Sequence, residues 1–281
     1  MSDAYIIRNL REDEIHIPIA WAREEGWNPG IHDGEIHFST DPEGWFGVEQ
    51  NGVIIGVASG INYDPTFSFF GFYIVQPEHR AQGIGWSLYQ TVLAHMGSRN
   101  IGMDGVFGMR DRYESKASMR FAYRNIRWQG VATPKGLVNL VPVSKIPFDQ
   151  LLAYDTAHFP TERRVFLEHW IRQPEGTALA KTGPDGRITG YGVIRRCFEG
   201  YKIGPIFADS LEIAEELYDG LVATVPGETV YFDTPEPNTS AVQMAINRGM
   251  TEVFGTARMY SKTLPSLPMH EIFGVTTFEL G

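Results

Sequence analysis

Apolar and polar residues along the chain fall into short blocks of period two, broken by stretches of period near 3.6. Tyr5–Leu10 reads as a strand, and Glu14–Glu25 as a helix with Pro18 near its start and Gly26 at its end. Gly44–Gln50 and Val53–Asn62 read as two strands, joined by the hairpin signal Asn51-Gly52. Ser68–Val75 is a dense aromatic and β-branched run, the pattern of a central strand. Trp86, Tyr89, Leu93 and Met96 recur at helical spacing, which predicts an amphipathic helix over Gly85–Arg99. Asp104–Met109 follows as a short strand. Met119, Ala122 and Ile126 predict a second helix over Ser115–Ile126.

The second half runs through the same order. Leu137–Val141 resembles Tyr5–Leu10, with Ile7-Arg8-Asn9-Leu10 lining up against Leu137-Val138-Asn139-Leu140. Phe148–His158 and Thr161–Ile171 read as helices, and Thr177–Lys181 and Arg187–Arg195 as a hairpin around Asp185-Gly186. Strand Ile203–Ala208, helix Leu211–Val222, strand Val230–Asp233 and helix Ser240–Asn247 complete the series. The letters match weakly but the order repeats, so the chain divides into 1–133 and 134–281 at the connector Thr133–Gly136. The second repeat is shorter by about six residues at one place, between its central strand and the helix after it. Lys262–Gly281 follows as a tail too apolar to stay in water, expected to pack back as an extended segment.

Composition adds limits. The 281 residues suit two domains, each able to bury a core. Lys+Arg is 24 against Asp+Glu 34, a net charge of -10, which argues against binding the phosphate backbone of nucleic acid. That balance suits a cationic or amine acceptor, although solubility alone also accounts for it. Cys197 stands alone, so neither an intrachain disulfide nor a cysteine zinc site is expected. His158, His169 and His270 lack metal-ligand spacing, so no metal is assigned. With no signal peptide and no apolar run near the roughly 20 residues a spanning helix needs, a soluble intracellular, cytoplasmic protein without membrane partners is expected.

In the first repeat the stretch between central strand and helix is Gln76–Gly85, QPEHRAQGIG. Its glycines, the unpaired N–H groups of a helix start and the cation of Arg80 together make an anion site suited to a diphosphate. Two common phosphate loops are excluded: Gly85 leads into Trp86-Ser87-Leu88 rather than a third glycine, and no Gly-Lys-Ser/Thr is present.

Val75-Gln76-Pro77 followed by Arg80-Ala81-Gln82-Gly83-Ile84-Gly85 resembles the signature of the GNAT N-acetyltransferases, Arg/Gln-x-x-Gly-x-Gly/Ala after a strand ending in Val-x-Pro. The resemblance implies two tandem GNAT-like α/β (α+β) repeats, each a mixed, mostly antiparallel sheet flanked by helices. It implies acetyl-coenzyme A as cosubstrate, its pyrophosphate on Gln82, Gly83, Ile84 and Gly85 beside Arg80, and its pantetheine along Ile74 and Val75. The run Ala122-Tyr123-Arg124-Asn125-Ile126-Arg127-Trp128 is similar to the family's second marker, a tyrosine at a helix end before Gly-Phe, with Arg127 in place of the glycine. By that match Tyr123 protonates the departing thiolate; packing is its other reading.

The central strand Ser68–Val75 carries no carboxylate to serve as base. Glu35, His37, Asp64, Asp104 and Asp111 are candidates by position, with Asp111 and Glu35 placed first. In the second repeat Ile206-Phe207-Ala208-Asp209-Ser210 runs straight into the helix, and Ala245 and Gly249-Met250 take the places of the tyrosine and Gly-Phe. The resemblance there is to a degenerate repeat that walls an acceptor pocket. Asn238 reads as a helix N-cap and Cys197 as a buried small hydrophobe. Three functions remain open: acetyl transfer to the primary amine of a small molecule or peptide, an acyl-coenzyme A sensor without turnover, and transfer of a longer acyl group or to a peptidic acceptor.

Overall fold

The computed structural model describes residues 4–117, 119–136 and 139–281. The first repeat comprises β1 (Tyr5–Asn9), α1 (His16–Glu24), α2 (Asp33–Thr40), β2 (Trp45–Gln50), β3 (Val53–Asn62), β4 (Phe67–Val75), α3 (Ile84–Met96), β5 (Asn100–Val106), α4 (Arg110–Ala117) and β6 (Arg120–Val131). The second comprises β7 (Val141–Pro142), α5 (Phe148–Ala157), α6 (Arg164–Trp170), β8 (Gly176–Thr182), β9 (Ile188–Arg196), β10 (Tyr201–Ala208), α7 (Leu211–Val222), β11 (Thr229–Pro235), α8 (Thr239–Asn247) and β12 (Thr251–Tyr260). The closing segment adds β13 (Ile272–Gly274). All 13 strands of the described residues lie in one sheet, mostly antiparallel, with parallel pairs β4–β5 and β10–β11.

The sheet order is β1-β2-β3-β4-β5-β12-β6-β11-β10-β9-β8-β7. Each repeat therefore sends its last long strand across the join. β12 of the second repeat pairs with β5, and β6 of the first pairs with β11. The two meet at the centre, where Tyr123 stands opposite Arg258 and Ile126 opposite Gly255. Buried ion pairs reinforce the exchange: Arg127–Asp233 at 2.7 Å, Arg258–Asp104 at 2.6 Å and Arg195–Asp33 at 2.9 Å each join one repeat to the other.

This strand exchange corrects the helix expected over Ser115–Ile126. The helix ends at Ala117, and Arg120–Val131 is a strand paired on both sides. Ile126 and Trp128 enter the core under α7 and α8, while Asn125 and Arg127 turn to polar partners on the opposite face, an alternation of period two. Arg127 thus occupies no turn. Helix α2 and strand β12 had no counterpart in the sequence reading, and β5 begins earlier than expected, at Asn100. The expected strand Leu137–Val141 starts outside the described residues; what is described there is Val141–Pro142.

β4 carries a bulge. Ser59 pairs with Gly71 and Val57 with Ile74, so Phe72 and Tyr73 together face Ala58, and Phe72 takes φ 48°. Pairing with β5 stops at Phe70–Met103, and the two strands part beyond it. β10 has its own bulge at Gly204–Pro205 opposite Val193, with pairing to β11 described only over Tyr201–Ile203. There the gap is filled: β13 pairs with β10 at Ile206 and Phe207, and Val275 N–H donates to the Asp233 carbonyl of β11. The closing segment does pack back, and residues 272–281 are buried throughout.

Candidate active site

The stretch after β4 delivers an uncapped helix. Gly83 holds φ 85°, a left-handed conformation open to glycine at little cost, and it starts α3 with no side chain on the helix N–H groups. The first-turn amides, Ile84 and Gly85 among them, have no partner within the helix, so this end offers N–H donors and positive potential. Gln82 and Gly83 are exposed and Ile84 is buried beneath them. Arg80 lies beside the turn, its Nε donating to the Val75 carbonyl at 2.7 Å and its Nη2 to Glu25 at 2.6 Å. Ile74 is buried and Val75 half-buried on the length of β4 that has parted from β5. The turn and that free edge are continuous, as a long ligand with an anionic end requires.

Where β4 and β5 separate, a cavity of ≈ 100 Å³ opens, lined by Gly71, Phe72 and Tyr73 of β4 and by Asp104 and Gly105 of β5, among others. Trp27, Arg127, Phe254 and Thr256 add polar and aromatic walls, and Tyr113 of α4 faces it. Phe278 and Glu279 of the closing segment complete it. Both Asp104 oxygens are already engaged, Oδ1 by Asn125 and Thr256 and Oδ2 by Arg258. Arg127 is held in two hydrogen bonds by Asp233, and its Nη1 donates to the Trp27 carbonyl at 2.6 Å.

Several expected residues stand elsewhere. Tyr123 lies on β6 rather than at a helix end, and is not among the residues lining the cavity. Burial pushes its hydroxyl well above the usual phenol range, with Tyr260 beside it and Arg258 opposing the shift. Asp111 is exposed at the start of α4 and pairs with Arg110. Glu35 is exposed on α2, over a separate groove between α1, α2 and Phe198. Asp64 accepts from Thr66, Phe67 and Thr161. His37 is fully buried against Trp45, Phe72, Phe166 and Trp170. Burial drives its pKa down to about 4, so it is neutral at pH 7.

Tyr113 and Glu279, both on the cavity wall, are not among the candidates that the sequence offers. Tyr113 was hidden by placing the helix after it instead of around it. Glu279 had a signal in Phe278-Glu279-Leu280, a single acid within an apolar run that the molecule buries.

A family model described as acetyltransferase (GNAT) family matches residues 7–123, and one described as acetyltransferase (GNAT) domain matches 151–274. The chain belongs to the GNAT acetyltransferase family. It is a tandem-repeat member and an acyltransferase by kind. A curated relative named holothin acyltransferase, from Pseudoalteromonas sp. (strain SANK 73390), is 28% identical over 275 residues, covering 96% of this chain and 92% of its own. A solved putative acetyltransferase from Pyrococcus horikoshii superposes with a TM-score of 0.84 at 20% identity, over 100% of this chain and 97% of its own. A tandem GNAT protein from the clavulanic acid biosynthesis pathway superposes with a TM-score of 0.66 at 12% identity, over 94% of this chain and 100% of its own. The two solved structures share the fold. Among the described residues no helix is long and apolar enough to cross a membrane.

Proposed function

We propose that the first repeat transfers an acetyl group from acetyl-coenzyme A to a primary amine, and that the second repeat walls the acceptor pocket. The observation that carries this reading is the continuity of three features: the uncapped start of α3, the free β4 edge and the cavity between β4 and β5. The turn amides and Arg80 hold the pyrophosphate, and the edge from Gly71 to Val75 holds the pantetheine by main-chain hydrogen bonds. Acetyl-coenzyme A supplies an activated thioester. Main-chain N–H groups at the β4 bulge polarise its carbonyl, and Tyr113 donates the proton that the thiolate needs on leaving. Tyr113 replaces Tyr123 in that role because it lines the cavity.

The test is thiol release from acetyl-coenzyme A across a panel of primary amines, with long-chain acyl-coenzyme A as a second donor. Acetylated product with acetyl-coenzyme A preferred is the expected result. Tight binding with no thiol release from any amine would favour a sensor instead.

A further inference from the structure

We propose that Glu279 is the general base of the transfer, carried into the first repeat's cavity by the closing segment of the second. The inference rests on the acetyltransferase reading and adds the residue that takes the amine's proton.

The geometry begins with β13. It occupies the gap between β10 and β11, the place that in the first repeat is left free beside β4. From that anchor the segment runs across both bulges. The carbonyls of Val275 and Thr276 lie against the Cα of Gly204, and the carbonyl of Glu279 lies against the Cα of Gly71; a Cβ at either glycine would collide with this backbone. Arg163 Nη2 donates to Thr276 Oγ1 at 3.0 Å, and Tyr63 donates to the Leu280 carbonyl at 3.0 Å. Leu280 itself is buried in the core beneath α1. The residue between these fixings is thereby placed at the cavity wall.

Thr277 then aims the side chain. Its hydroxyl donates to Glu279 Oε2, and it accepts from the Glu279 N–H at 2.9 Å. The charged and titratable groups facing Glu279 come from four elements: His37 on α2, Arg127 on β6, Arg195 on β9 and Lys202 on β10. Arg127 and Arg195 each have their own aspartate. Lys202 donates to the carbonyls of Trp27 and Asn28. Among the described residues Glu279 is the carboxylate lining this cavity that no ion pair holds, whereas Asp104 is fixed by Arg258.

The step balances as follows. The acceptor enters as an ammonium, and one N–H proton passes to the Glu279 carboxylate. The freed nitrogen lone pair attacks the thioester carbonyl carbon; a C–N bond forms and the C–S bond breaks with its electron pair on sulfur. Tyr113 gives its proton to the thiolate, the second proton lost by the nitrogen passes through solvent to restore Tyr113, and Glu279 returns its own proton to water.

The experiment compares wild type with Glu279→Gln for acetyl-coenzyme A affinity, for kcat with the best amine of the panel, and for melting temperature. Expected are unchanged affinity and melting, and a kcat lower by about 100-fold or more. The deficit shrinks as pH rises toward the acceptor's own pKa, where the amine arrives already deprotonated. Glu279→Asp recovers part of the rate. If Glu279→Gln also lowers the melting temperature, Thr277→Val carries the test, with a loss of about tenfold and the same pH signature. An unchanged kcat, or a loss independent of pH, overturns Glu279 as base while wild-type turnover keeps the acetyltransferase reading. Wild type that binds acetyl-coenzyme A and acetylates no amine favours the sensor and overturns both readings, as does wild type that does not bind it.

Discussion

The two repeats face the same problem at the end of their central strands and solve it in opposite ways. In the first, an eight-residue stretch, Gln76–Gly83, leads into a helix whose N–H groups carry no side-chain cap, and β4 stands free of β5 beyond Phe70. In the second, Asp209-Ser210 leads directly into α7, Ser210 caps its third residue, and β13 closes the gap between β10 and β11. One repeat leaves its polar backbone unsatisfied where a ligand can pair with it. The other satisfies the same groups with its own chain. Exposed main-chain donors and a parted sheet contribute little to folding. The second repeat instead uses the matching gap to fasten the segment that bears Glu279.

The largest expected effect comes from cutting the comparison in half. Expressed separately, 1–133 and 134–281 each lose a central neighbour strand, and Asp33, Asp104 and Arg127 lose the partners that now neutralise them. Removing one partner of a single buried pair typically costs about 3–5 kcal/mol, against a total stability of about 5–15 kcal/mol for a domain. Neither half is expected to melt cooperatively by circular dichroism or calorimetry. A sharp transition in the first half alone would show β5 pairing directly with β6, and so two separable domains.

Gly83→Glu is expected to lower acetyl-coenzyme A affinity by about 1,000-fold, close to 4 kcal/mol, since it strains a left-handed residue and sets an anion on the phosphate turn. Ser210→Glu, at the matching place in the second repeat, should leave that affinity unchanged. Isothermal titration of both variants is the check. Equal losses would mean that the second repeat also holds the ligand.

Most of this contrast was legible in the sequence. Gln76–Gly85 and its absence from the second repeat need only the order of strand, turn and helix, which local signals carry. The exchange of β6 and β12 was not legible, because strand pairing across more than a hundred residues leaves no local mark. It also misled: Met119, Ala122 and Ile126 fit a helix by spacing, yet pairing on both sides makes residues 120–131 a strand, so Tyr123 is not on the cavity wall while Tyr113, with Tyr73, is. Glu279 stands out locally as an acid within an apolar run, but its place beside β4 was not legible for the same reason, since nothing near it in sequence belongs to β4.

A smaller effect separates the bulges. Alanine at Gly71 or Gly204 pushes a Cβ into the crossing backbone, and each should cost about 1–3 kcal/mol by overpacking. The consequences differ with what lies above. Gly204→Ala strains the anchor near β13 and lowers the melting temperature with turnover less affected. Gly71→Ala displaces Glu279 and lowers kcat as well. Equal loss of kcat in the two variants would mean that the segment acts as a single rigid strap.

The smallest effect is the most direct test of why the second repeat is closed. Ser210→Ala removes the acceptor for the Ile213 N–H and should cost about 1 kcal/mol of stability, the usual worth of an N-cap. It reopens one helix end without reopening the cleft, because β13 still pairs with Ile206 and Phe207. Binding of acetyl-coenzyme A should therefore stay at one equivalent per chain, and replacing Asp209-Ser210 by the first repeat's Gln76–Gly85 should not raise it. A second equivalent in that graft would show that the turn alone decides binding; one equivalent assigns the closure to the strand, since a phosphate site has no use where no pantetheine can lie beside it.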